Sequence, residues 1–203
     1  MKIFCVGRNY GEHAKELGNA VPENPVIFSK PDTALLKNND PFYLPDFSND
    51  VHHEIELVIK ICKTGKKIEE QFANNYFNEI GLGIDFTARD LQSQLKAKGL
   101  PWELAKGFDG SAPLGNFISV SSSLVENGIN FSLKKNGTIV QQGNSNEMIF
   151  SFAKIVAFVS NYFTLKVGDL IYTGTPAGVS KVSIGDKLEG FIETELMLTC
   201  EVK

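Results

Sequence analysis

The sequence predicts a β-dominated α+β protein, read as one domain over residues 1–203, and three observations carry that expectation. Short runs of β-branched and aromatic residues recur along the chain, among them "KIFCVG", "VHHEIELVIKI", "GLGID" and "DKLEGFIETELMLTCEV". Only a few segments repeat apolar residues at helical spacing. No internal repeat, low-complexity tract or charged linker divides the chain, and 42% hydrophobic with 22% charged residues suits one sizeable core.

"KIFCVG" opens as a strand and is too short an apolar run for a signal peptide. "NYGEHAKELGN" reads as a brief helix, with Tyr10, Ala14 and Leu17 on one side and Gly18 as its stop. Residues 19–50, rich in Asn, Pro and Asp, hold short strands at "VIFSK" and "FYL" between turns. "VHHEIELVIKI", residues 51–61, is a strand with Val51, Ile55, Leu57, Ile59 and Ile61 on one face, interrupted by His53. Its other face carries His52, Glu54, Glu56, Val58 and Lys60.

"KIEEQFANNYFNEI" repeats Ile68, Phe72, Tyr76 and Ile80 at helical spacing, and "GLGID" returns as a strand. "TARDLQSQLKAKGLP" is a helix with Thr87 as N-cap, Asp90 as capping-box acid and Gly99 as stop. "NFSLKKNGTIVQQG" is a hairpin turning at Asn136-Gly137. "SNEMIFSFAKIVAFVSNYF" gives an inner helical stripe of Met148, Phe152, Ile155, Val156 and Val159, and the tail is rich in strands.

A formal net charge of −4, with no stripe of Lys or Arg, excludes nucleic acid and anionic membrane as main partners. No apolar stretch is long enough to span a bilayer. Cys5, Cys62 and Cys200 are odd in number and lie in strand-like runs, which predicts buried free thiols in a reducing compartment, the cytoplasm.

Alternation places Glu54 and Glu56 on one strand face, roughly 7 Å apart at the backbone. Two readings stay open there: a solvated sheet edge, or ligands for a hard divalent cation that would relieve their mutual repulsion. Asp85 closes "GLGID", either as a turn residue or as a third carboxylate on the same ion. Lys106 follows Trp102, Leu104 and Ala105; it either snorkels to the surface or supplies a cation to an anionic substrate. His13 and Glu16, spaced i, i+3, are either an exposed pair or a general base with its orienting acid.

"GRNYGEH", "FSKP", "HHEIELVI", "GIDFTARDLQ", "KGLPWELAKGFD" and "YTGTPAGV" together resemble the fumarylacetoacetate hydrolase family, in order and spacing over nearly the whole chain. "TARDLQ" with "KGLPWELAK" is most similar to its short acylpyruvase, oxaloacetate decarboxylase and oxaloacetate tautomerase branch. The resemblance implies a mixed β-sandwich roll of the family's C-terminal-domain type with peripheral helices, in a homodimer. It implies Glu54, Glu56 and Asp85 as Mg²⁺ or Mn²⁺ ligands, Lys106 as the active-site lysine and Gln92 as a nearby polar contact. His13 and Glu16 match a lid dyad that activates water. Arg8, Lys30, Gly174 and Thr175 match positions around the substrate carboxylate. The chain lacks the extra N-terminal domain of the larger family members, which speaks against fumarylacetoacetate itself.

The implied activity is on small 2-oxo acids through a metal-stabilised enolate. Acylpyruvate hydrolysis, oxaloacetate decarboxylation and keto–enol exchange all share that centre. The alternatives are a 2-hydroxydienoate isomerase or decarboxylase of aromatic catabolism, and a non-catalytic metal-binding relative.

Overall fold

The structure is a computed structural model that describes residues 1–12 and 21–203, with the backbone alone for 122–124. Its first strands are β1 (Ile3–Gly7), β2 (Val26–Lys30), β3 (Leu35–Leu36), β4 (Val51–His53), β5 (Ile55–Ile61), β6 (Phe77–Ile84) and β7 (Thr87–Ala88). They are followed by β8 (Ala112–Ser119), β9 (Asn130–Lys135), β10 (Thr138–Asn144), β11 (Leu170–Tyr172), β12 (Ser180–Lys181), β13 (Lys187–Ile192) and β14 (Glu195–Glu201). The described α-helices are α1 (Arg89–Ala97), α2 (Glu103–Lys106), α3 (Ser122–Asn127) and α4 (Phe152–Tyr162).

Seven strands form a mixed sheet in the order β2-β1-β11-β5-β6-β8-β3, with β1 parallel to β11 and β3 parallel to β8. An antiparallel sheet, β10-β9-β13-β14, packs across it, and β12-β4-β7 make a small third sheet. This is the expected β-dominated sandwich with peripheral helices.

The apolar pattern of the strands explains the layering. Ile3 and Cys5 join a smaller core with Val58, Leu170 and Tyr172, while Phe4 and Val6 join the main one. A strand apolar at both parities is covered on both faces, as β1 is by these two clusters. From β5, Ile55, Leu57, Ile59 and Ile61 enter the main core, which also holds Leu133, Leu188 and Leu198 of the second sheet. Each such buried side chain stabilises the fold by about 1.5–3 kcal/mol. Helix α4 adds Phe152, Ile155, Val156 and Val159, and its Ser151 cap accepts from the Lys154 N–H at 3.2 Å. At the β9–β10 turn, Asn136 and Gly137 have φ of 53° and 82°, the left-handed pair that a type I′ hairpin needs.

Several expectations need correction. The strand read over 51–61 breaks at Glu54, between β4 and β5. Ile68, Phe72, Tyr76 and Ile80 do not share a helix: residues 70–76 form a 3-10 helix, Phe77 already starts β6, and Phe72 is 52% exposed. Thr87 is not a cap; it pairs with His52 in the third sheet, and Asp90 accepts from Ser48 Oγ at 2.7 Å and Asn49 N–H at 3.0 Å instead. The long-range partners outcompete the local capping box. Met148 precedes α4, "FYL" contributes only a bridge between Phe42 and Val202, and Cys62 is exposed. Most of the helix expected over 9–19, with His13 and Glu16, lies outside the described residues. Among those described, no helix is long and apolar enough to cross a membrane.

Candidate metal centre and active site

Glu54 sits in the break between β4 and β5, Glu56 is the second residue of β5, and Asp85 directly follows β6. β5 and β6 are antiparallel neighbours, with Ile55 opposite Ile84. The Asp85 N–H donates to the Glu54 carbonyl at 2.8 Å, so the same register carries both acids to one end of the strand pair. The three carboxylates offer oxygens that all lie within 4.8 Å of one another, and none of these residues is more than 5% exposed.

Cations interleave with the acids. Lys106, the last residue of α2, places Nζ 2.8 Å from Glu54 Oε2 and 2.6 Å from Asp85 Oδ2. Lys30, at the end of β2, holds Asp85 Oδ1 at 2.8 Å from behind. Its Nζ also bonds the Lys106 carbonyl, and donates to the Ser111 carbonyl and hydroxyl, both at 3.0 Å. Arg89, opening α1, pairs with Glu54 Oε1 and donates to Gln92 Oε1 at 2.7 Å. Glu56 Oε2 accepts from the Gly174 N–H at 2.8 Å. Gly174 has φ 103°, and a Cβ there would sit 2.6 Å from Asn9 Cβ, so only glycine turns the backbone onto Glu56.

Burial, and after it the charges of Asp85 and Glu54, push the Glu56 carboxyl well above the usual carboxylate range. Burial draws the Lys106 ammonium down, but Asp85 and Glu54 outweigh it and leave it raised. A hard divalent cation fits this donor set. The ligand atoms are all carboxylate oxygens, without thiol or imidazole, and a cation among them would offset the burial and the neighbouring acids that disfavour the charged form of Glu56.

Arg8, Glu54, Glu56, Asp85, Gln92, Lys106 and Thr175 line one pocket, together with Phe28 and Trp102. Gly174 sits behind Glu56, and Lys30 buttresses Asp85 without lining the pocket wall. Arg89 and Lys96 were not anticipated. With Gln92 they recur at i, i+3 and i+7 along α1, so one helix face meets the pocket; that spacing in "TARDLQSQLK" was the available signal. Burial, then Arg8 and Arg89, hold the Lys96 ammonium below its usual value. His52, for which the sequence offers no role, holds Asp50 Oδ1 at 3.0 Å with Nε2.

Residues 2–202 match the model of the fumarylacetoacetate (FAA) hydrolase C-terminal family. The mitochondrial oxaloacetate tautomerase of Mus musculus is 40% identical over 201 residues, covering 99% of this chain and 91% of that protein. The mitochondrial oxaloacetate decarboxylase of Dictyostelium discoideum is 43% identical over 189 residues, or 93% of this chain and 87% of that one. Among solved structures, fumarylpyruvate hydrolase from Pseudomonas aeruginosa, in complex with Mn²⁺ and pyruvate, superposes with a TM-score of 0.93. It is 35% identical and the match covers 100% of this chain and 89% of that one.

Proposed function

The chain belongs to the fumarylacetoacetate hydrolase family, and from that premise we propose that it is a Mg²⁺- or Mn²⁺-dependent enzyme of small 2-oxo acids, acting on oxaloacetate by tautomerisation or decarboxylation and on acylpyruvates by hydrolysis. The observation that supports this most is the buried set Glu54, Glu56 and Asp85, whose ligand atoms lie within 4.8 Å of one another beside the Lys106 ammonium. A 2-oxo acid and its products share one electrostatic problem, the negative charge that develops on the 2-oxo oxygen when a group leaves the adjacent carbon.

In this reading Glu54, Glu56 and Asp85 hold the cation, which supplies Lewis-acid polarisation of the substrate oxygens. Lys106 donates to the oxygen on which charge accumulates. Arg8, Gln92 and Thr175 orient the substrate carboxylate, and Gly174 fixes Glu56. Lys30 holds the Asp85 carboxylate in place, and Arg89 does the same for Glu54. His13, oriented by Glu16, takes the proton from the water that attacks an acylpyruvate. The whole chain acts as one catalytic domain in a homodimer, which size-exclusion chromatography with light scattering tests.

The deciding experiment offers keto- and enol-oxaloacetate, acetylpyruvate and fumarylpyruvate with Mg²⁺ or Mn²⁺, followed by product analysis. Metal-dependent turnover of at least one is expected. Turnover that survives complete chelation, or no turnover of any, would sink the reading.

A further inference from the structure

Gln141 lies behind the Thr175 wall of the pocket, 2% exposed, in a strand otherwise facing partly to solvent. It stands on β10 just past a bulge, where Ile139 pairs with Lys134 and Gln141 with the core residue Leu133, leaving Val140 as the extra residue. All four hydrogen-bonding positions of its amide are used. Oε1 accepts from the Ile55 N–H at 3.1 Å and faces His53 Nδ1 at 2.9 Å. Nε2 donates to the Pro176 carbonyl at 2.9 Å and to Thr175 Oγ1 at 2.8 Å.

Two of these partners have a fixed polarity. A backbone N–H only donates and a proline carbonyl only accepts, so the Gln141 amide has a single orientation. Its Nε2 has no acceptor capacity, and Thr175 Oγ1 must therefore accept from it. The Thr175 hydroxyl keeps its own proton for another partner, and no group among the described residues accepts it. The same logic extends outward. Because Oε1 accepts, His53 carries a proton on Nδ1, and the neutral ring accepts at Nε2 from Ser180 Oγ, 2.8 Å away. Ser180 Oγ in turn accepts from Lys135 Nζ at 3.2 Å. One chain of hydrogen bonds thus runs in one direction, from a lysine ammonium to the pocket wall.

Resting on the functional reading above, we propose that Gln141 is a positioning residue: it compels the Thr175 hydroxyl to donate into the pocket, to a negatively charged oxygen of the bound 2-oxo acid. Without the Gln141 donor nothing recorded at Thr175 Oγ1 would fix the direction of its proton. Held this way, it presents a donor before substrate arrives, which is the preorganisation that strengthens a hydrogen bond to charge.

The test is a double-mutant cycle, read on kcat/KM and on oxalate affinity measured by calorimetry with Mn²⁺ present. Thr175→Val should lower both about 10- to 100-fold, the scale of one hydrogen bond to a charged group. Gln141→Glu keeps an acceptor for Ile55 and His53 but loses the fixed donor to Thr175, and should lower both by a similar factor. The double variant should be no worse than Thr175→Val alone. Gln141→Met, with its fold checked by melting temperature, is the second route to the same non-additivity. If substitutions at Gln141 cost as much in the Thr175→Val background as in the wild type, the residue serves the scaffold and the proposal is overturned; failure of both Gln141 variants to fold does the same. A wild-type protein that turns over no 2-oxo acid defeats the functional reading while the oxalate cycle still decides this one. A wild type that turns over a 2-oxo acid but binds no oxalate leaves the functional reading standing, and kcat/KM then decides the cycle; one that does neither overturns both.

Discussion

The Lys106 ammonium lies 2.6 Å from Asp85 Oδ2, inside the acid cluster and not at its rim. It also reaches Glu54 Oε2 at 2.8 Å, so the lysine and a divalent cation compete for the same oxygens. Removing one partner of a buried ion pair costs about 3–5 kcal/mol. Lys106→Met should therefore lower the melting temperature of the metal-free protein. Added Mn²⁺ should then raise it by more than in the wild type, while turnover falls on the order of 10²-fold. Thermal shift with and without Mn²⁺ reads both effects; a smaller Mn²⁺ shift in the variant would contradict the competition.

Asp85 is the acid that both buried ammonium groups share, Lys30 on Oδ1 and Lys106 on Oδ2. Asp85→Asn removes a ligand and the counter-charge of two lysines together. It should reduce activity to that of the chelated wild type, about 10²-fold or more below the metal-loaded enzyme. Trp102 is the single tryptophan and lines the pocket, so its fluorescence reports the site directly. Mn²⁺ should quench it in the wild type and fail to do so in Asp85→Asn at the same concentration. Equal quenching in the two proteins would remove Asp85 from the ligand set.

Much of this centre was legible in the chain, though not always for the right geometric reason. Strand alternation put Glu54 beside Glu56, yet Glu54 lies in a break, and its carbonyl bond to Asp85 N–H is what gathers the acids. Lys106 stood as an open choice between surface and pocket because burial depends on α2 packing against β2 and β7, contacts far apart in sequence. Arg89 drew no reading from the sequence, since nothing local reveals that Glu54 lies opposite it. Gln141 was invisible because a bulge shifts the strand's parity, and a period of two cannot display the extra residue. The false helix over 68–80 arose from the reverse accident, a 3-10 turn and a strand whose apolar residues happen to fall at helical spacing.

His53 is fully buried, and burial, opposed by the Gln141 hydrogen bond and reinforced by Lys135, lowers its imidazole to about 4 from an ordinary 6.5. Below the ordinary value the unfolded chain takes up a proton that the folded chain refuses until about pH 4. Stability is unaffected by this group above pH 6.5 and is lost as the pH falls from there. The loss approaches about 2–3 kcal/mol near pH 4.5. Urea denaturation at about pH 7 and about pH 4.5 should show His53→Asn losing that much less than the wild type over the interval. The same loss in both proteins would assign the acid sensitivity to other groups.

Gly115, on β8, packs directly against β14 of the second large sheet. A Cβ there would run into the Met197 carbonyl oxygen and stand 2.7 Å from Leu198 Cβ, both on β14. Neither atom belongs to a side-chain tip that can rotate away, so relief requires the sheets to move apart. Overpacking of this kind costs typically about 1–3 kcal/mol. For a chain of this size each kcal/mol lowers the melting temperature by roughly 2–4 °C. Gly137, in the β9–β10 turn, provides the comparison: its φ of 82° strains alanine, but nothing lies within 4 Å of the added carbon. Gly137→Ala should cost about 1 kcal/mol through backbone strain alone. Gly115→Ala should cost more, and its effect should reach the pocket, because β8 is hydrogen-bonded to β6, the strand that Asp85 directly follows. Gly115→Ala should therefore weaken Mn²⁺ quenching of Trp102 whereas Gly137→Ala leaves it intact, and equal quenching in the two variants would show that sheet spacing does not set the metal site.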